Sequence, residues 1–431
     1  MKIAIQTWGS TGDTNPFISL AAALAKGGHD VSLALATTDR KDFTAIGKKY
    51  GFNIAAVDRL GETITELNNI GRRAFAIRDP LQQLSSICQE LFNPYAERMY
   101  ATAQELCAKH DLVIGHFIHH VVHLAAEQAG KPYLTVSLNH GLIKSKFSAP
   151  HPIPNLGRWI NPWSWRLLDA LVDRTMLPII NDFRTSHGAA EAASTRSVWE
   201  SPLGNLVAVS PLLCRPQPDW GSNQKICGFL NLPPVAGTES LPKETLDFLA
   251  AGDPPVYFTY GSMMGLPEPS DELEESIRIW EKAVALAGCR AIMQTHWGMA
   301  QYCPQDGNIH CIEYADHALL FPHCAAVVHH GGAGTTQSAL LAGCPSVIVS
   351  HIVDQHLFGA ELLRLGVAAK PLRQETASAE KIANAIRQVL RKEIKQNAIA
   401  AGNILRQEKG VEAALRHIEQ IIKSILAGNN R

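Results

Sequence analysis

The feature that most constrains the fold is a rhythm. Short β-branched or apolar runs alternate with longer helical patterns from the first residues, as in Lys2–Thr7, Asn15–Gly28 and Asp30–Ala36. Such alternation builds a parallel sheet wrapped by helices, because each return to a parallel strand needs a crossover of helical length. The rhythm recurs at Leu112–His116, Ile118–Gly130 and Pro132–Leu138, so the first half reads as one doubly wound domain that closes near Ala208–Pro211. A proline- and turn-rich stretch follows, with Arg215-Pro-Gln-Pro-Asp-Trp and Leu232-Pro-Pro, as expected of a linker. A second alternation then begins: strand Pro255–Tyr260, helix Asp271–Gly288, strands Arg290–Thr295, Asn308–Glu313 and Ala325–His330, helix Gly334–Gly343 and strand Pro345–Ser350. From about Glu380 the tail reads as helical, with Ile382, Ile386, Val389 and Leu390 spaced for one buried face. The expected architecture is α/β, with two doubly wound, Rossmann-like domains over 1–213 and 243–405 and a linker over 214–242. A C-terminal helix over 406–431 is free to pack on either domain, including back on the first. Ligands of such sheets sit at the carboxyl ends of the strands, so two facing sheets imply a cleft.

Length supports two domains, since 431 residues exceed what one hydrophobic core usually organises. Lys and Arg number 39 against 40 Asp and Glu, so no basic excess points to nucleic acid; a discrete ligand fits better. Met1-Lys-Ile-Ala-Ile-Gln enters a strand without the apolar core of a signal peptide. No stretch approaches the ~20 apolar residues of a membrane span, so a cytoplasmic protein without a transmembrane segment is expected. The nine cysteines are scattered and lack a CxxC pair, which argues for reduced, mostly buried thiols over a disulfide framework or a zinc site.

The most informative stretch, Val327-Val-His-His-Gly-Gly-Ala-Gly-Thr-Thr-Gln-Ser, reads as a buried strand, a glycine turn and the start of a helix. Its physics favours an anion. Gly331, Gly332 and Gly334 let backbone approach a phosphate closely. Free amides at the helix start, taken as those of Gly334, Thr335 and Thr336, add donors where the helix dipole is positive. Thr335 and Thr336 add hydroxyls. Glycines between strand and helix are also ordinary tight-turn chemistry, so His330 carries much of the weight. At the strand end its imidazole, as donor or cation, can neutralise a diphosphate leaving group.

The run His330-Gly-Gly-Ala-Gly-Thr-Thr, followed by Ala342-Gly-Cys-Pro and Asp354-Gln355, resembles the donor signature of nucleotide-sugar-dependent glycosyltransferases of the two-Rossmann, GT-B type. With Leu319-Leu-Phe-Pro ahead of it, the wording is similar to bacterial and fungal sterol glucosyltransferases and to antibiotic and rhamnolipid glycosyltransferases, and less close to plant enzymes. The resemblance implies that His330 contacts the β-phosphate, that Gly332, Gly334, Thr335 and Thr336 surround the phosphates, and that Asp354 and Gln355 hold sugar hydroxyls. A carboxylate and an amide together are suited to vicinal hydroxyls; Asp354 alone would read as a helix cap. Plant members carry a Trp that stacks on uracil and a Glu that grips the ribose, where this chain has Ile312 and Ser338. The choice between a UDP- and a dTDP-linked sugar therefore stays open. Trp297 is a candidate stacking surface, and Ser262, in Tyr260-Gly-Ser-Met, a further phosphate contact implied by the family.

The first strand empties into Gly9-Ser-Thr-Gly-Asp-Thr-Asn-Pro-Phe, which is not the GxGxxG of dinucleotide binders. It resembles the Gly-x-x-Gly-Asp-x-x-Pro loop of the sterol and antibiotic transferases, in which the aspartate is the base. Asp13 is then the catalytic candidate, and Ser10, Thr11 and Gly12 join the nucleotide-sugar contacts. A carboxylate in hydrogen-bond reach of an acceptor hydroxyl takes its proton as the oxygen attacks the anomeric carbon. A competing structural reading makes Asp13 a helix N-cap with Pro16 in the first turn. His119 and His123 have the helical spacing of metal ligands, but no glutamate stands between them as in HExxH, so no metal is expected. His116, His119, Asn139 and Trp159 are instead expected to line the acceptor site.

The reading that results is an inverting, metal-independent and cofactor-independent transferase. It moves a hexose, taken as glucose from UDP-glucose, to an apolar acceptor such as a sterol, terpenoid, flavonoid, polyketide or lipid, with peripheral membrane contact if that acceptor is a lipid. The alternatives are an epimerase or hydrolase on the same scaffold and a non-catalytic sugar-nucleotide-binding protein.

Overall fold

A computed structural model describes residues 1–37, 43–57, 70–231, 240–261, 271–295 and 303–428, other than 72, 75 and 305. Among these, the chain before residue 232 and after residue 408 forms one compact unit, and the chain between forms a second.

The first unit begins with β1 (Lys2–Gly9), α1 (Thr11–Lys26), β2 (Asp30–Thr37), α2 (Thr44–Tyr50) and β3 (Asn53–Ala56). It continues through α3 (Pro80–Ser86), α4 (Asn93–Lys109), β4 (Leu112–His116), α5 (His120–Gln128) and β5 (Tyr133–Ser137). Then come α6 (Asn161–Ser186), α7 (Thr195–Trp199), β6 (Asn205–Val207) and β7 (Gln224–Ile226). Seven described strands, all parallel, lie in the order β3-β2-β1-β4-β5-β6-β7. Consecutive residues, Ile3, Ala4 and Ile5 in β1 and Leu112, Val113 and Ile114 in β4, are all buried, so both faces of the sheet are covered.

The second unit holds α8 (Lys243–Ala250), β8 (Val256–Thr259), α9 (Asp271–Ala287), β9 (Ala291–Gln294), β10 (Ile309–Ile312), α10 (His317–Leu320) and β11 (Ala326–His329). It ends with α11 (Ala333–Ala342), β12 (Ser346–Ser350), α12 (Val353–Arg364), β13 (Leu372–Arg373), α13 (Ala379–Val389) and α14 (Lys392–Gln407). Its six described strands are parallel in the order β10-β9-β8-β11-β12-β13. In each sheet the winding reverses once, between β1 and β4 and between β8 and β11. Ligand crevices of open α/β sheets form at such points, outside the carboxyl ends of the strands.

Three expectations need correction, and the placement of the tail is decided. Residues 224–226 are not linker: they pair with β6 as the last strand of the first sheet, a run too short for its pattern to stand out among prolines. The tail is helical, in three helices, and the last, α15 (Gly410–Gly428), belongs to the first unit, one of the two packings left open by the sequence. There His29 Nε2 and Glu419 Oε1 lie 2.8 Å apart. Helix α1 starts at Thr11, four residues before the expected Asn15, because Ser10 caps it. Finally, Cys303 and Cys311 form a disulfide, while the other seven cysteines are free; a loop that returns along its own next strand needs no CxxC spacing to bring two thiols together. No helix among the described residues is long and apolar enough to cross a membrane.

Candidate functional site

At the switch point of the first sheet, β1 ends on Gly9 with φ +130°, a conformation that L side chains rarely adopt. A Cβ at this position would also run into the Asp13 carboxylate. Glycine here is what lets that carboxylate fold back over the strand end. Asp13 Oδ2 accepts hydrogen bonds from the Ser10 amide at 2.9 Å and the Ser10 hydroxyl at 3.0 Å. Asp13 is therefore not the N-cap that the competing reading made it: Ser10 is the cap, and Asp13, the third helical residue, reaches back to it. The carboxylate thus lies at the N-terminus of α1, against the residue that caps it. Pro16 sits in the second turn, not the first. Proline has no amide to give the Gly12 carbonyl one turn back, and Gly12 is exposed. Thr11 is half-buried at the first helical position.

At the switch point of the second sheet, His330 follows directly on β11. Its ring lies in a slot whose walls are glycines: a Cβ on Gly332 would overlap Nε2, and one on Gly261 would stand 2.8 Å from Cε1. His330 Nδ1 is buried and has no hydrogen-bond partner. Burial first, then the neighbouring His329, His351 and His317, hold its pKa well below the usual histidine value. The ring is thus a neutral donor, not the cation that the sequence also allowed. His329 supports the turn from beneath, taking the Gly331 amide on Nδ1 at 3.2 Å. Burial pushes the His329 ring down to about 3.

Helix α11 then opens with Gly332 as N-cap. The Thr336 amide donates to the Gly332 carbonyl at 2.9 Å, so the free amides are those of Ala333, Gly334 and Thr335, one residue earlier than expected. Around Gly334 there is open space. Thr335 is nearly buried, and Thr336 is fully buried with its hydroxyl without a hydrogen-bond partner. The start of α12 is brought to the same place: a Cβ on Gly331 would stand 2.7 Å from the Gln355 carbonyl oxygen. Gln355 is buried, and its amide oxygen accepts from the backbone of His351 at 2.8 Å and Ile352 at 3.3 Å, closing the first turn of α12. Asp354, half-buried in that turn, is the more exposed of the pair. Ile352, not Asp354, occupies the cap position.

Ile312 ends β10 packed among Tyr257, Ile292, Leu320 and Phe321, and it is also among the residues that line a cavity beside that strand. The cavity, of about 480 Å³, is bordered as well by Thr295, Cys311 and Glu313. Ser262 and Trp297 lie outside the described residues.

The expected acceptor residues divide. His116 and His119 are buried beside Phe17, Phe92 and Phe117. Burial holds His116 down to about 3; burial, then the neighbouring rings of His116 and His120, holds His119 well below its ordinary value. Their polar spacing concealed an apolar setting supplied by α1 and by the chain between α3 and α4. Trp159 stands at the surface, 77% exposed. Asn139 does border a small cavity of about 50 Å³ in the first unit, together with Phe117, Leu142, Val172 and Trp199. One wall of that cavity is ionic: Asp169 takes Arg196 at 2.9 Å and also Lys144, while Arg196 pairs with Glu200. The sequence reading missed this group, because Asp169 and Arg196 sit on different helices and Lys144 and Glu200 lie outside them, with no local motif to join the four.

Residues 296–418 match the model of the erythromycin biosynthesis protein CIII-like C-terminal domain. The chain is 30% identical over 438 residues to a sterol 3-beta-glucosyltransferase of Arabidopsis thaliana, across 96% of this chain and 67% of that protein. It is 29% identical over 440 residues to the O-mycaminosyltylonolide 6-deoxyallosyltransferase of Streptomyces fradiae, across 97% of each. A plant enzyme thus stands among the relatives, against the expectation that plant sequences are more distant. A glycosyltransferase of Streptomyces sp. SF2575, solved in complex with thymidine diphosphate, shares the fold with a TM-score of 0.60 at 18% identity, over 97% of this chain and 99% of that one. With such identity sustained along nearly the whole chain and two sheets of this order, the protein belongs to the nucleotide-sugar-dependent glycosyltransferases of the GT-B type, the UDP-glycosyltransferase family, and is a sugar-transferring enzyme.

Proposed function

We propose that this enzyme moves a hexose, glucose from UDP-glucose in the first instance, to a hydroxyl of an apolar small molecule of the sterol, terpenoid, polyketide or lipid class, with inversion. The observation that carries the donor half is His330 Nδ1, buried without a partner beside the open amides of α11. Buried polar atoms are rarely left unpaired, and one beside a helix N-terminus fits a polyanionic ligand. In the reaction the acceptor oxygen attacks the anomeric carbon from the face opposite the diphosphate, and Asp13 takes the hydroxyl proton. The bond from the anomeric carbon to the diphosphate oxygen breaks. Its electron pair stays on that oxygen, where the His330 ring and the Ala333, Gly334 and Thr335 amides disperse the charge without a metal ion. The activities named for the two relatives support a sterol or macrolide-type acceptor. The thymidine diphosphate of the solved neighbour supports a dTDP-sugar as second donor.

The test is product analysis with UDP-glucose and dTDP-glucose against a panel of sterols and macrolides. A β-linked glycoside from the α-linked donor is the expected product, and an α-linked one would sink the inverting reading. Asp13→Asn is expected to lower kcat by about 10²–10⁴-fold with nucleotide affinity unchanged, the usual weight of a general base. Donor consumed equally well without acceptor would identify a hydrolase or epimerase, and tight nucleotide binding without any product a sensor.

A further inference from the structure

Between β5 and the middle of α6 the first unit turns an apolar surface outward. All of residues 152–160 are exposed, and α6 continues the surface with Trp163 at 66% and Leu167 at 59% exposure. Ile160, Trp163, Leu167 and Leu171 follow one another at three- and four-residue steps, so they form a single stripe along the first three turns. Monomeric proteins rarely leave such a patch uncovered, and a patch of this kind marks an interaction surface.

Polar bonds beneath the loop hold it in this form. Asn161 is buried, and its Nδ2 donates to the Lys146 carbonyl at 3.0 Å and to Asn155 Oδ1 at 2.8 Å. Its Oδ1 accepts from the Leu156 amide at 3.2 Å. Trp165, turned inward on the same helix, donates from Nε1 to the Ser148 carbonyl at 2.7 Å. The loop therefore has its polar groups satisfied on the inside and presents Ile153, Leu156, Trp159 and Ile160 on the outside.

The charge around the patch is mainly positive, the exposed Asp219 that takes the Lys146 amide at 2.7 Å being the exception. Arg158 lies over the Trp159 ring at 4.9 Å, Arg166 over Trp163 at 4.7 Å and Lys146 over Phe147 at 5.2 Å. Arg174, one turn on, is also exposed. The acids of the same stretch of α6 face elsewhere: Asp169 is engaged by Lys144 and Arg196, and Asp173 accepts the Thr195 amide at 2.7 Å. In a chain with a net charge of −1 this local excess of cations is a marked asymmetry. A second copy docking face to face would set these cations against their own kind. An anionic bilayer satisfies both halves of the surface: tryptophan and leucine enter the boundary between headgroups and acyl chains, and arginine and lysine meet lipid phosphates.

We propose that this face, Ile153–Leu171, is a docking surface for anionic phospholipid membranes, held ready by the Asn161 network and independent of any lipid acceptor. The experiment is flotation of the full-length protein with vesicles of phosphatidylcholine alone and of phosphatidylcholine mixed with phosphatidylglycerol. Wild type is expected to float with the mixed vesicles and much less with the neutral ones, and high salt is expected to release it. Trp163→Ser combined with Leu167→Ser, both at exposed positions, is expected to abolish flotation with the unfolding midpoint unchanged. Arg158→Glu combined with Arg166→Glu is expected to weaken binding by at least about tenfold. Wild-type protein that stays with neither vesicle, or variants that float as well as wild type, would overturn the assignment. So would a dimer, seen by light scattering, that dissociates in the Trp163→Ser, Leu167→Ser variant, since it would make this face a contact between copies.

Discussion

At the scale of single residues, three glycines do work that their neighbours' chemistry depends on. Gly9 makes space for the Asp13 carboxylate, and Gly332, with Gly261 opposite, for the His330 ring. Gly9→Ala is expected to displace the carboxylate and to lower kcat by at least about tenfold, with donor affinity intact, as misplacement of a catalytic group does. Unchanged kcat in a folded Gly9→Ala variant would remove Asp13 from the mechanism as placed here. Gly332→Ala should act on the other side of the reaction, weakening nucleotide binding by pressing on His330 and on the amides that follow. Isothermal titration with UDP separates the two, since the first variant keeps affinity and the second loses it.

At the scale of elements, the helix starts are where fold and function share atoms. Gln355 was expected to hold a sugar, yet its amide oxygen closes the first turn of α12 on the amides of His351 and Ile352. Gln355→Ala should therefore cost about 0.5–2 kcal/mol of stability even in the absence of any sugar, the usual weight of a lost cap. Denaturant unfolding of the ligand-free protein reads this directly, and an unchanged midpoint would mean that the side chain serves the ligand alone. Ser10 is the equivalent point in α1, where capping and the aim of Asp13 are one arrangement. A pattern search sees such residues as polar and near glycine. It does not see that the same oxygen already has a structural partner.

At the scale of the whole molecule, neutral buried histidines set a pH limit. Burial holds His116, His120 and His329 down to about 3, and His317 and His351 down to about 4. In the unfolded chain each regains a value near 6.5. Their folded values are depressed, so the unfolded state binds more protons below that value. Stability is fully present above about pH 6.5 and is lost as pH falls towards the folded values, by up to about 1.4 kcal/mol per pH unit for each ring. Only a few such rings are needed to exhaust the ~5–15 kcal/mol of a typical domain. Unfolding midpoints in urea should fall steeply between pH 7 and pH 5; a flat profile would show that the rings ionise within the fold.

The sequence by itself determined the two rounds of strand and helix, the glycine turn after β11 and the loop that carries Asp13. Each is a local pattern: backbone period, glycine placement and capping residues act within about a turn or a strand of where they are written. Only the tertiary structure decided that residues 224–226 complete the first sheet, that α15 belongs to the first unit, that His116 and His119 are buried among aromatic rings, and that Trp159 faces outward. Those outcomes depend on which distant segment covers a side chain. Burial and pairing are set by packing between elements far apart in the chain, and no spacing along one element records what will lie against it.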